Sequence, residues 1–183
     1  MRTWLLILSP ALLFTIAQAL VQQGLLILGA GNNAGAIANC LLLPVVLACF
    51  CKLHRQEKQD LLNSRDVFLW LVVTALLALF NQLLPGGMQK ITVPHLFASV
   101  LCAPICEELI YRGLTLNFAR KHFGTPAAIA ISSLLFAAAH GSILDFVAAA
   151  LLGVVLCWMK LRFPSLLFPL LTHAVLNLTA CLF

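Results

Sequence analysis

Charged residues are scarce in this chain: only 9% of its 183 residues are Asp, Glu, Lys or Arg. Soluble domains carry about 25% charged residues, so the composition excludes an ordinary water-soluble domain. Apolar residues take their place, since 62% of the chain is hydrophobic and the mean hydropathy is +1.04. This balance is typical of membrane-spanning helices. We therefore expect an all-α, polytopic transmembrane helical bundle that forms a single domain over residues 1–183.

The chain also lacks a basic patch and paired metal-binding cysteines. Its net charge is +5, but the eleven Lys and Arg residues are spread over separate loops, so we expect no nucleic-acid partner. The seven cysteines include no Cys-x-x-Cys pair, and nearly all fall in apolar segments. Cysteine in such a segment behaves as a small hydrophobic residue, so these cysteines are interpreted as helix-packing residues.

Seven apolar segments can be drawn as membrane spans. Their predicted bounds are 4–28, 34–51, 67–84, 95–116, 126–140, 144–159 and 165–183, with a polar loop at 52–66. If the N-terminus is cytoplasmic, nine Lys and Arg residues lie on the inner side and only Lys90 on the outer side. Cytoplasmic loops carry such an excess of cations, so the asymmetry predicts a cytoplasmic N-terminus.

The first segment has a second interpretation. Ala17-Gln18-Ala19 resembles a signal-peptidase site after a short basic start and an apolar core. Removal of this segment would leave the orientation of the later spans unchanged, so the charge asymmetry does not decide between the two. The apolar run continues past the site to Leu28, which favours a retained helix.

Two carboxylates and a guanidinium stand inside the fourth predicted span. Ionisable groups at bilayer depth cost a few kcal/mol or more and mark functional sites. In a helix, Glu108 and Arg112 lie four residues apart on one face and can form an ion pair. Glu107 is rotated by about 100° from Glu108. An unpaired carboxylate can accept a proton, so Glu107 is the candidate general base.

Further polar residues stand in the later spans. His140 follows Phe136 by four residues in the fifth, and His173 and Asn177 share one face of the seventh. Counted along ideal helices, His140 would lie roughly 10 Å deeper than His173. A lone buried histidine is more often a hydrogen-bonded packing residue, and polar groups also bridge membrane helices. Asp145, at the outer end of the sixth span, is predicted to be solvated or to cap that helix.

Taken together and in this order, the motifs Glu-Glu-x-x-x-Arg, Phe-x-x-x-His and His-x-x-x-Asn resemble the CPBP family of intramembrane endopeptidases. This is the CaaX-prenyl-protease and bacteriocin-processing (Abi) superfamily. Each motif alone is weak, but all three in order within a polytopic chain are specific. The resemblance covers residues 95–183, and residues 1–94 carry no motif and are interpreted as scaffold spans.

The resemblance implies a separate catalytic role for each of these residues. Glu107 is the base, His140 holds or polarises the same water, and His173 and Asn177 donate to the oxyanion. Three residues support them: Glu108 with Arg112 fixes the helix, and Phe136 completes the second motif. No intramembrane Ser or Cys has an obvious His–Asp/Glu partner arrangement, so we do not expect a covalent mechanism.

The sequence leaves metal use open. Glu107, His140 and His173 would make a three-ligand zinc set with an open fourth position. Their spacing differs from His-Glu-x-x-His. In the family that the chain resembles, the name metalloprotease has been used alongside a metal-independent glutamate mechanism. We expect no cofactor, with zinc as the alternative.

We therefore expect an intramembrane protease that cuts a hydrophobic or lipidated protein near its membrane end, in contact with membrane lipids. The resemblance implies CaaX-protein processing in a eukaryote, and peptide maturation, sorting-signal cleavage or bacteriocin self-immunity in a bacterium. The short chain favours the bacterial inner membrane. Two alternatives stay open: a proton-coupled transporter with a Glu/His relay, and a non-catalytic scaffold or immunity protein. The sequence does not give the oligomeric state.

Overall fold

The structure, a computed structural model, describes residues 2–29, 34–53, 64–81, 92–163 and 165–182. All regular structure in these ranges is helical, which confirms the all-α prediction. The elements are α1 (Arg2–Ile27), α2 (Ala34–Leu53), α3 (Ser64–Asn81), α4 (Val93–Phe97), π1 (Ala98–Cys102), α5 (Ala103–Glu107), π2 (Glu108–Thr115), α6 (Leu116–Ala137), α7 (Ile143–Arg162) and α8 (Leu167–Leu182).

Most predicted spans correspond to one helix, and one predicted loop is corrected. The polar loop predicted at 52–66 is shorter, because α2 continues to Leu53 and α3 already begins at Ser64, and residues 54–63 lie outside the described ranges. Within the described residues, two helices are long and apolar enough to cross a membrane, Val93–Ala137 and Ile143–Arg162. Ile37–Ala48 and Leu167–Leu182 are shorter apolar helices. Seven spans and a cytoplasmic N-terminus stay predictions.

The predicted fourth and fifth spans are helical segments that meet directly at Gly124, within α6. The backbone of Gly124 has φ 77° and ψ 172°, a conformation that glycine adopts without steric cost. Pro126 follows, and proline is tolerated in the first turn of a helix. Beyond the bend, α6 folds back along π2, where the Ser132 hydroxyl donates to the Tyr111 carbonyl oxygen at 2.8 Å. The chain therefore reverses at a glycine bend instead of a separate loop.

Small residues let α7 approach α6 closely. A Cβ added at Gly153 would lie 2.9 Å from both Cα and Cβ of Ser133. Beside this contact, the Cys157 thiol lies 3.4 Å from the Ser132 hydroxyl, and all four residues are buried. Small residues at helix contacts are typical of membrane bundles.

Apolar side chains face outward while polar ones lie inside. Ile27, Val93 and Ile143 are each more than four-fifths exposed, whereas Glu108 and Arg112 are completely buried. A soluble protein shows the reverse, since its ionised groups stay in water. The distribution fits a chain whose surroundings are lipid and whose interior holds the polar groups.

The first three helices pack against the later helices, which carry the polar groups. Phe14 of α1 and Val46 of α2 belong to the same apolar core as the middle of the long bent helix. In α3, the Trp70 indole donates to the Thr172 hydroxyl of α8 at 2.9 Å, and the hydroxyls of Thr74 and Thr172 lie 2.8 Å apart. These contacts brace α8 one residue before His173.

Candidate active site

The two adjacent glutamates lie between two widened helical turns. In π1 the N–H of Ala103 donates to the carbonyl of Ala98, and at the end of π2 the N–H of Leu116 donates to that of Tyr111. Both bonds span five residues instead of four. Such π segments are rare and are found frequently at functional sites. Glu107 ends the short α5 between them.

Glu108 forms the centre of a sealed polar cluster. Nη1 of Arg112 donates to Oε1 of Glu108 at 2.8 Å, so the ion pair predicted from the spacing is present. Nδ1 of His173 lies 2.9 Å from the same oxygen. An ionised carboxylate only accepts hydrogen bonds, so this nitrogen carries a proton. The cluster links π2 to α8, and its carboxylate and guanidinium are both fully buried.

Phe136 joins this cluster to the second histidine. The guanidinium carbon of Arg112 lies 4.4 Å from the centre of its ring. The rings of His140 and His173 pack edge-on against Phe136, with centroids 5.1 and 5.6 Å away. Edge-to-face contacts and cation–π contacts are both favourable. Both imidazoles therefore lie beside one aromatic ring, although the sequence placed them on separate spans at different depths.

His140 lies beyond the helix in which it was predicted. The sequence predicts that the fifth helix extends to His140. This bound is wrong, because α6 ends at Ala137. The N–H of His140 donates to the Ala137 carbonyl at 2.9 Å, and its Nδ1 lies 3.1 Å from the Phe136 carbonyl oxygen. The last carbonyls of a helix lack a donor four residues later, and His140 donates to two of them. A carbonyl only accepts, so Nδ1 carries the proton and Nε2 is left available.

Glu107 is the more open of the two glutamates. Its side chain is 14% exposed, whereas that of Glu108 is 0% exposed. Oε2 of Glu107 lies 3.7 Å from Nε2 of His173, within ion-pair range but too far for a direct hydrogen bond. The carboxylate also interacts electrostatically with His140. Each ring nitrogen of His173 therefore faces a different glutamate: Nδ1 faces Glu108 and Nε2 faces Glu107.

A cavity of about 350 Å³ between α7 and α8 opens beside these groups. His140, His173 and Asn177 line it together with apolar residues such as Leu152 and Leu176. An apolar pocket with a few convergent polar groups is typical of a ligand site. The structure thus brings all four predicted catalytic residues to one region, with three of them on the cavity wall.

Asp145 also lines this cavity, which the sequence interpretation missed. Of the two predicted roles, solvation and capping, Asp145 shows the first, since it is exposed. The cap of α7 is Ser142, whose hydroxyl accepts from the Asp145 N–H at 3.1 Å and donates to Oδ2 of Asp145 at 2.6 Å. A second missed contact joins Asn177 to the backbone, because its Nδ2 donates to the Ser99 carbonyl at 2.8 Å.

Zinc binding by Glu107, His140 and His173 stays an alternative prediction. Among the described residues, which include Glu107, His140 and His173, no three His, Cys, Asp or Glu side chains are placed to hold a metal ion. Nε2 of His173 and Nε2 of His140 carry the lone pairs that such a set would use, and the first lies 3.7 Å from Oε2 of Glu107. The side chains as arranged do not converge on one metal position.

Residues 89–179 match the family model described as type II CAAX prenyl endopeptidase, Rce1-like. The chain belongs to this Rce1-like family. Comparison with the curated proteins and with the solved structures gave no match. The matched range agrees with the predicted 95–183 and contains every candidate site residue: Glu107, Glu108, Arg112, Phe136, His140, His173 and Asn177. The predicted recognition is confirmed, and the Rce1-like chain is an integral membrane protein of a CAAX-type endopeptidase family.

Proposed function

We propose that this Rce1-like chain hydrolyses a peptide bond near the membrane end of a hydrophobic or lipidated protein. The observation that carries the proposal is the position of Glu107. Its side chain is partly open, and its Oε2 lies 3.7 Å from Nε2 of His173. The cavity beside it is lined by His140, His173 and Asn177. Glu108, one residue later, is sealed by Arg112 and His173. One carboxylate is therefore available for chemistry while its neighbour holds the scaffold.

Glu107 and His140 act on the attacking water. Glu107 takes one proton from the water, while Nε2 of His140 accepts a hydrogen bond from the other and holds the oxygen in place. The water oxygen then bonds to the peptide carbonyl carbon, and the carbonyl electron pair moves onto its oxygen. When the C–N bond breaks, the proton held by Glu107 passes to the leaving nitrogen.

Asn177 and His173 act on the developing oxyanion. An amide nitrogen carries two protons, so the Asn177 side chain can donate one to the Ser99 carbonyl and the other to the substrate. His173 keeps the proton on Nδ1 through Glu108, which directs its Nε2 towards Glu107. When Nε2 also carries a proton, taken up from solvent before the reaction begins, the ring is a second donor to the oxyanion.

The setting of this chemistry is proposed to be a single bundle of seven spans in the bacterial inner membrane, with the N-terminus in the cytoplasm. The positive-inside asymmetry of the loops supports that orientation. Residues 89–179 carry the family match, which supports a catalytic region after a scaffold of three helices. The substrate is proposed to enter from the membrane, because the cavity wall is largely apolar.

The test is a cleavage assay in proteoliposomes with a farnesylated CaaX peptide that carries a fluorophore and a quencher on opposite sides of the scissile bond. Wild type should cleave, and Glu107→Gln should lose about 100- to 10,000-fold in rate because a general base contributes that much. Asp66→Asn is the matched control, since Asp66 pairs with Arg162 away from the cavity. An Asp66→Asn rate equal to wild type and a Glu107→Gln rate near zero support the proposal.

Two outcomes of the same assay contradict it. Full cleavage by Glu107→Gln would remove the proposed base. Proton uptake by wild-type liposomes without cleavage, abolished in Glu107→Gln, would favour a transporter instead. No metal enters the proposed reaction, so dialysis against a zinc chelator should leave the rate unchanged, and a loss that added zinc restores would contradict this part.

A further inference from the structure

Asn177 is held by the backbone of a helix distant in sequence. Its Nδ2 donates to the carbonyl oxygen of Ser99 at 2.8 Å, from α8 to π1. A carbonyl inside a helix normally accepts from the backbone four residues later, so a free one must have a cause. Asn177 contacts the cavity at the same time. The bond therefore fixes the orientation of an amide that faces the cavity.

Pro104 explains why the Ser99 carbonyl is free. The N–H of Ala103, four residues after Ser99, donates to Ala98 instead, in the π pattern. The next residue is Pro104, which has no N–H, so the donor five residues after Ser99 is missing as well. The helix thus has no backbone donor for this oxygen at either position. The side chain of Asn177 donates to this oxygen instead.

We propose that Pro104 is a positioning residue, which keeps the Ser99 carbonyl free so that this oxygen can orient Asn177. With one N–H bound to Ser99, the other is directed away from π1, where a substrate oxyanion can receive it. The inference rests on the proposed function for its catalytic consequence, but the hydrogen bond itself does not depend on catalysis. Pro104 stands three residues before Glu107, so one short helix would set both the base and an oxyanion donor.

The kinetic test is a double-mutant cycle in the farnesylated-peptide assay. Pro104→Ala supplies an N–H that competes for the Ser99 carbonyl, and loss of one net hydrogen bond should lower kcat by about two- to tenfold with KM unchanged. In the Asn177→Ala background, Pro104→Ala should cause no further loss. An equal loss in both backgrounds would show that Pro104 acts only on helix structure, and would overturn the inference.

A readout without catalysis separates this inference from the proposed function. In protein labelled with ¹⁵N-asparagine, the Asn177 side-chain signal is assigned by its disappearance in Asn177→Ala. Pro104→Ala should shift that signal and speed its hydrogen exchange, even if the peptide is never cleaved. An unchanged signal would contradict the inference while leaving the proposed protease intact.

Pro94→Ala is the matched control. Pro94 lies in the first turn of α4, where a backbone N–H has no helical acceptor, so restoring the N–H there should change neither kcat nor the Asn177 signal. If Pro94→Ala shifted the signal as much as Pro104→Ala, the effect would belong to the helix as a whole, and the specific role of Pro104 would be wrong.

Discussion

Glu107 and Glu108 are neighbours of identical chemistry in different surroundings. Glu108 is fully buried and contacts both Arg112 and Nδ1 of His173 within 2.9 Å. Glu107 is partly open, and Nε2 of His173, with which it pairs, is 3.7 Å away. A rotation of about 100° between consecutive helical residues is enough to separate them. The difference supports the proposal that the first glutamate acts in catalysis and the second holds the structure, with His173 between them.

The largest expected effect on stability comes from Arg112→Met. Removal of one partner from a buried ion pair leaves the Glu108 charge uncompensated, which typically costs about 3–5 kcal/mol. We expect that loss in the free energy of unfolding, measured by denaturant titration in micelles. Glu107→Gln, measured alongside, should unfold like wild type. Equal stability of Arg112→Met and wild type would break the distinction between a sealed and an open glutamate.

Asn177→Ala is expected to act on the proposed catalytic site around the partly open Glu107. A missing oxyanion donor typically lowers kcat by about 100- to 1,000-fold. Binding of the substrate should change little, because the lost interaction strengthens only in the transition state. The measurement is kcat and KM with the farnesylated peptide. A rise in KM with kcat unchanged would instead place Asn177 in substrate binding.

The smallest of these effects is expected for Gly153→Ala, beside the buried cluster of Glu108 and Arg112. The new Cβ would lie 2.9 Å from Ser133, and overpacking of this kind typically costs about 1–3 kcal/mol. The Gly153 carbonyl also lies 3.5 Å from Nη2 of Arg112, so a displaced α7 would loosen the sealed cluster. Unfolding in micelles measures the loss, and Ser133→Gly should restore part of it. Full stability of Gly153→Ala alone would contradict this packing.

Fold class and the candidate site could be predicted from sequence because polar residues are rare in an apolar chain. Each ionisable group at depth needs a partner, so Glu108 and Arg112 could be paired from their spacing alone. The grouping of the later motifs with Glu107 came from the resemblance to the CPBP family, which rests on the motifs and their order in the chain. These inferences need residue types and spacings, and no fine backbone geometry.

Backbone detail could not be predicted, because its causes are not periodic. Nothing in the apolar pattern distinguishes a π turn from an α turn, although Pro104 is a local signal for one. Gly124 was compatible with a loop as well as with a bend. His140 keeps helical spacing from Phe136 while standing beyond the end of α6, since a side chain can cap a helix from outside it.

The most direct test of the account measures Glu107→Gln and Glu108→Gln side by side, each for kcat with the farnesylated peptide and for free energy of unfolding in micelles. The account predicts that Glu107→Gln loses activity at wild-type stability, whereas Glu108→Gln loses stability through its contacts with Arg112 and His173. Equal stability losses in the two variants, or an active Glu107→Gln enzyme, would contradict it.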